Sequence, residues 1–129
     1  YLWVIDDFDN QRSLVDPVNQ FKSPLMAVAA GGSGGNLPDT QSGISLSRKG
    51  VQLTAFGKNP DGDGTLLRIW EQAGKGGEII ITLPKGHGFK DAQACNLRGE
   101  VIGDKIDISG NQISVMLGAY KPLSLILER

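Results

Sequence analysis

Apolar and polar positions alternate in short runs along most of this chain, and that period of two predicts strands rather than helices. Val51-Gln52-Leu53-Thr54-Ala55-Phe56 alternates, and Ile79-Ile80-Ile81-Thr82-Leu83 is a β-branched run of the buried type. Ile44-Ser45-Leu46 and Gln93-Ala94-Cys95-Asn96-Leu97 are shorter candidates. Ile106-Asp107-Ile108 and Ile113-Ser114-Val115-Met116-Leu117 flank Ser109-Gly110-Asn111, which reads as a hairpin turn. Leu123 to Glu128 reads as a last strand, opened by Pro122, which has no ladder donor. Gly, Pro, Asn and Asp punctuate these runs at Asn59-Pro60-Asp61-Gly62-Asp63-Gly64, Gly74-Lys75-Gly76-Gly77 and Pro84-Lys85-Gly86-His87-Gly88. Strands about ten residues apart with such punctuation predict an all-β fold, an antiparallel β-sandwich of about eight strands.

One strand breaks the simple pattern. In Thr65-Leu66-Leu67-Arg68-Ile69-Trp70-Glu71-Gln72-Ala73-Gly74, alternation places Leu66, Arg68 and Trp70 on one face and Leu67, Ile69 and Glu71 on the other. Each face mixes large apolar groups with a charge. A strand of that kind lies between two layers, or between this domain and another body.

The first third is different. Tyr1-Leu2-Trp3-Val4-Ile5 predicts an opening strand, Asp6 to Lys22 has little periodicity, and Pro24 to Ala30 is apolar. Gly31-Gly32-Ser33-Gly34-Gly35 reads as a flexible link, with poor order expected between Gly31 and Gln41. The expected organisation is one domain, with residues 1–43 an irregular lead-in carrying one or two strands and 44–129 the sandwich core. A chain that opens on Tyr1 without Met or a signal segment reads as a piece of a longer protein.

Composition narrows the classes. The 129 residues suffice for one domain with a real core, and 40% apolar with 21% charged residues predicts a folded chain. A net charge of −1 without a basic field argues against nucleic acid and against a membrane surface. No run is long and apolar enough to span a bilayer as a helix. Cys95 is the single cysteine, so no internal disulfide forms. A bacterial periplasmic or secreted setting is favoured, and a cytoplasmic one stays open.

Catalytic chemistry is poorly supplied. His87 is the only histidine, so no site with several His ligands exists, and any Ser-His-Asp arrangement would need this loop residue. Asp61 and Asp63 lack the spacing and closing Glu of a calcium loop, and a turn explains them. Asp6, Asp7 and Asp9 could meet a hard cation but read more simply as a solvated strand end. The Gly31–Gly35 run has no Lys-Ser/Thr closure, so it is no phosphate cradle. Tyr1, Trp3, Trp70 and Tyr120 are the amphipathic aromatics. Trp70 and Arg68 share a face, which suits stacking on a pyranose. The plainer reading buries Trp70 in the core and pairs Arg68 with a carboxylate. No catalytic and no metal-ligating residue is assigned; Arg68, Trp70 and Glu71 are the candidate sugar-binding or cleft-facing residues.

The order of these strands resembles the C-terminal β-domain of family 38 glycoside hydrolases, the α-mannosidases. The resemblance runs from Gly50 to Glu128. It is carried by Val51 to Phe56, the acidic-Gly turn Asn59 to Gly64, the Leu66-Arg68-Trp70-Glu71-Gly74 strand, Glu78 to Leu83, Ala94 to Glu100 and Tyr120 to Leu127. Trp70 stands where the family more often has Tyr. The resemblance implies a parent enzyme whose zinc, His and Asp ligands and Asp nucleophile lie upstream, so no cofactor is expected in this piece and the parent's catalytic domain is the expected partner. The leading expectation is a non-catalytic accessory sandwich that packs on that domain and shapes the rim of its sugar cleft. A carbohydrate-binding module, with a glycan as partner, and a ligand-free structural sandwich are the other two.

Overall fold

The computed structural model describes residues 2, 4, 10–29, 31, 32, 34–36 and 38–129. Eight strands run through the described part: β1 (Ser45–Leu46), β2 (Val51–Lys58), β3 (Thr65–Glu71), β4 (Gly77–Thr82), β5 (Asp91–Cys95), β6 (Val101–Asp107), β7 (Gln112–Leu117) and β8 (Pro122–Glu128). They form two antiparallel sheets, one ordered β1-β4-β7 and the other β2-β3-β8-β5-β6. The fold is therefore the β-sandwich that the alternation predicts.

The two sheets meet through the apolar face of each. Leu67, Ile69, Leu125, Leu127 and Ala92 from the five-stranded sheet face Ile79, Ile81, Ile113 and Leu117 from the three-stranded one, all buried. Cross-strand register builds this layer, with Leu67 opposite Leu125 and Ile69 opposite Leu123. On the other sheet Ile81 lies opposite Ile113. Burying each such side chain contributes roughly 1.5–3 kcal/mol before chain entropy is counted. A second small cluster, Leu66, Cys95 and Ile126 with Ala55 against it, forms on the outer face of the five-stranded sheet.

Two sequence expectations need correction. The Ser109–Asn111 turn does form, closed by reciprocal bonds of 3.0 Å between Ser109 and Gln112. It does not join a hairpin, because β6 pairs with β5 and β7 pairs with β4. The turn is instead a corner between sheets, tied to the end of β4: the Leu83 N–H donates to the Asn111 carbonyl at 2.7 Å, and Asn111 Nδ2 donates to the Leu83 carbonyl at 3.2 Å. Gly74 to Gly77 likewise crosses between sheets rather than closing a hairpin. Asn59–Gly64 does join neighbours directly, with Lys58 opposite Thr65, as does the turn after Cys95 that links β5 to β6.

The lead-in also differs. Asn10–Val15 is a π-helical turn that continues into α1 (Asp16–Lys22). Seven residues are too few for the periodicity to stand out, but the local signals fit: Pro17 in the first turn, Asp16 at the positive end, Lys22 at the negative end. Pro24 to Ala29 has no regular secondary structure and is exposed, and no strand lies among the described residues before Ser45. Of the predicted opening strand Tyr1–Ile5, Leu2 and Val4 are described, both exposed and neither in a strand; the Asp6, Asp7 and Asp9 cluster and the aromatics Tyr1 and Trp3 lie outside the described residues.

Candidate functional site

β3 is an interior strand of the five-stranded sheet, between β2 and β8, so alternation separates its side chains onto two well-defined faces. Arg68 and Trp70 point to the outer face and Glu71 to the inner. The three candidate residues are thus consecutive in pattern but not convergent.

Arg68 acts as a clamp. Its Nε donates to Ser124 Oγ at 2.8 Å, directly across the ladder in β8, and its Nη2 donates to the Leu97 carbonyl at 3.0 Å. That second bond ties the Asn96–Gly99 turn to the outer face. No carboxylate pairs with Arg68 among the described residues, so the expected ion pair is replaced by a hydroxyl and a carbonyl. Trp70 is not a core residue. It is 46% exposed, and its Nε1 donates to the Tyr120 carbonyl at 3.3 Å. Strand position explains this: Trp70 follows Leu66 and Arg68 toward the end of the outer face, where its opposite neighbour is Pro122.

Glu71 is wholly buried, yet its oxygens are well supplied. Oε1 accepts from the Ala73 N–H at 2.9 Å, and Oε2 accepts from the Gly74 N–H at 2.9 Å and the Tyr120 N–H at 2.8 Å. Arg48 Nη1 stands 3.8 Å from Oε1 and donates to the Lys75 carbonyl at 2.7 Å. Burial pushes the carboxyl up, but peptide N–H groups of Tyr120, Lys75, Ala73 and Gly74 outweigh it and hold the group below its ordinary value. The carboxylate fastens the β3–β4 crossing to the β7–β8 turn and presents no open oxygen to a ligand.

The geometry around Glu71 also accounts for Gly74 and Tyr120. Gly74 has φ +77, and a Cβ there would lie 2.5 Å from the Tyr120 hydroxyl. Tyr120 itself has φ 56, the one described non-glycine residue in the left-handed region, which turns its N–H to Glu71. Tyr120 and Trp70 then border an open groove of about 410 Å³, lined also by Leu14, Val15 and Val18 of the helical lead-in. Asn10 Nδ2 reaches the Tyr120 hydroxyl at 3.2 Å and the Gln72 carbonyl at 3.4 Å.

Sequence reasoning misses Arg48, the burial of Asn59 and the backbone role of Tyr120, which it names only as an amphipathic aromatic. Asn59 is buried beneath its own loop: its Oδ1 accepts from the Asp61 N–H at 3.3 Å, and its Nδ2 donates to the Asp63 carbonyl at 3.2 Å. The Asn-Pro-Asp-Gly spacing did signal this turn; nothing in the sequence signals Arg48 or the Tyr120 backbone.

The remaining candidates sit apart. His87 accepts from the Phe89 N–H on Nδ1 at 2.8 Å and stacks on the Phe89 ring. Burial pushes the Cys95 thiol up, and the Arg68 charge offsets this only in part. Among the described residues, no group of three or more His, Cys, Asp or Glu could hold a metal ion, and no helix is long and apolar enough to cross a membrane.

Comparison with known proteins gives one positive finding. A family model described as the C-terminal beta sandwich domain of glycosyl hydrolases family 38 matches residues 50–121. Its span opens just before β2 and closes at the turn that caps Glu71. No curated protein matches, and no solved structure matches.

Proposed function

The chain belongs to the C-terminal β-sandwich domains of the family 38 glycosyl hydrolases, and from that membership we propose that it is a non-catalytic accessory unit of an α-mannosidase-like glycosidase, packed against the catalytic domain of its parent chain. The observation that supports this most is how the β3 motif is spent. Leu67 and Ile69 fill the core, Arg68 clamps a turn, and Glu71 and Gly74 build a crossing between sheets. Each polar group of the motif serves the architecture.

The zinc expected in such a parent does not fit here. The single His87 is committed through Nδ1 to Phe89, and the described acids and cysteine gather nowhere into a ligand set. The metal belongs to the upstream domain, and no step of hydrolysis runs through these residues.

Deleting residues 44–129 from the parent tests the role. The truncated enzyme is expected to lose thermal stability and kcat/KM toward an aryl α-mannoside, while the isolated chain cleaves nothing. A truncated parent with both quantities unchanged would overturn the reading. The half-exposed Trp70 and the exposed Tyr120 support a second reading, in which this end of the domain stacks on a sugar ring. Binding of the isolated chain on a glycan array, lost in Trp70→Ala, is its expected sign; an array without signal rejects it.

A further inference from the structure

The loop between β4 and β5 and the corner between β6 and β7 flank an open, solvent-facing pocket that the accessory role leaves unused. It has a volume of about 510 Å³ and is lined by Lys85, Gly86, His87, Gly88, Gly110 and Asn111. That size is in the range of small-molecule sites. We propose that this pocket binds the oxyanion group, phosphate or carboxylate, of a small molecule. The assignment stands apart from the accessory role and survives if that role fails.

Four observations carry it. First, the lining contains the Lys85 ammonium and His87 but no carboxylate, so the local charge favours an anion. Second, the His87 ring is fixed. Its Nδ1 accepts from the Phe89 N–H at 2.8 Å and its plane stacks on Phe89 at 5.4 Å between centroids. A ring whose Nδ1 accepts carries its hydrogen on Nε2, so the unused nitrogen is a donor. Third, the backbone alternates in hand. Gly86 has φ +74 and Gly88 has φ +71, while His87 between them is not in the left-handed region. Left-handed residues in alternation with right-handed ones are the backbone pattern of recurrent anion cradles, and the two glycines supply its left-handed members. No described residue accepts from the Gly86 or Gly88 N–H. Fourth, space is open above the cradle, since a Cβ at Gly86, Gly88 or Gly110 would meet nothing within 4 Å.

The opposite wall is rigid for a stated reason. Asn111 Nδ2 donates to the Leu83 carbonyl and the Asn111 carbonyl accepts from Leu83 N–H, so the corner is tied to the strand that feeds the loop. That leaves the Asn111 Oδ1 as an acceptor for a hydroxyl on the ligand. A bare phosphate would fill a small part of the volume, so the oxyanion is the handle of a larger molecule.

The test is an amide chemical-shift titration of the 129-residue chain with inorganic phosphate, then with a hexose phosphate, a hexuronate and the neutral hexose. The expected result is saturable, shared movement of the Gly86, Gly88 and Gly110 resonances with the charged probes. The stronger of the two sugar acids identifies the oxyanion. Lys85→Ala combined with His87→Ala is expected to weaken binding about tenfold or more, because it removes two charge-assisted donors. The remaining amide spectrum shows whether that variant is folded; Lys85→Gln with His87→Gln, which keeps polar bulk, is the second variant and is expected to weaken binding as well. No saturable movement with any charged probe, equal movement with the neutral hexose, or unchanged affinity in a folded double variant would each overturn the proposal.

Discussion

Glu71 is an anion that the protein keeps inside by surrounding it with peptide N–H groups. A lone buried carboxylate would protonate; this one is held below its ordinary value of 4.5 because Tyr120, Lys75, Ala73 and Gly74 favour the charged form. The sign of the pH effect follows. A folded-state value below the unfolded one means the contribution is complete above the unfolded value and is lost as pH falls through the folded one. Urea midpoints of the natural protein are therefore expected to fall more steeply below about pH 4.5 than those of Glu71→Gln. At neutral pH the Gln variant is expected to lose about 2 kcal/mol, since one acceptor oxygen becomes an amide that faces donors. Parallel curves across that range would place the stabilising charge elsewhere. Cys95 gives a second check at this scale. Its thiol is buried and pushed up, so it is expected to react with a disulfide reagent only as fast as the domain opens. Stoichiometric labelling within seconds under native conditions would contradict the burial.

At the scale of elements, β3 concentrates the fold. It contributes Leu67 and Ile69 to the core, Leu66 to the outer cluster, and a partner on either edge. Leu67→Ala is expected to cost about 3 kcal/mol through lost burial and a cavity. Gly74→Ala is expected to cost about 1–2 kcal/mol, because the left-handed backbone is strained for any side chain and the Tyr120 ring must move aside. Calorimetric midpoints report both. The strands were legible because their period survives in the sequence: Val51 to Phe56, Ile79 to Leu83 and Leu123 to Glu128 fall within observed strands to within about two residues. Pairing was not legible. A two-residue turn at Gly110-Asn111 looks the same in a hairpin as at a corner between sheets, and only the bonds to Leu83 decide. The Glu71 cradle was hidden for the same reason. One of its donors, Tyr120, is 49 residues away in sequence, and peptide N–H groups carry no side-chain signature. The short α1 escaped because about two helical turns are too few to show a repeat.

For the whole molecule, the question is what the outer face of the five-stranded sheet meets. Mixed apolar and charged positions on β3 suggested a strand covered on both sides, and the inner side is covered by the second sheet. On the outer side the Asn96–Gly99 turn, held by Arg68, covers part of the face, while Trp70, Leu97, Val101 and Tyr120 remain exposed. Two arrangements give different energetics. If the catalytic domain seats on this face, removing Arg68 and Trp70 together breaks an interface as well as a clamp. If the face is free, the loss is the clamp alone. Arg68→Ala with Trp70→Ala is therefore expected to lower the thermal midpoint of the parent enzyme by about 3 °C or more beyond its effect on the isolated chain. Equal shifts in both would mean that this face is solvent in the parent too. The catalytic domain would then have to seat elsewhere on the sandwich, and the exposed Trp70 and Tyr120 would be left as surface available to a ligand.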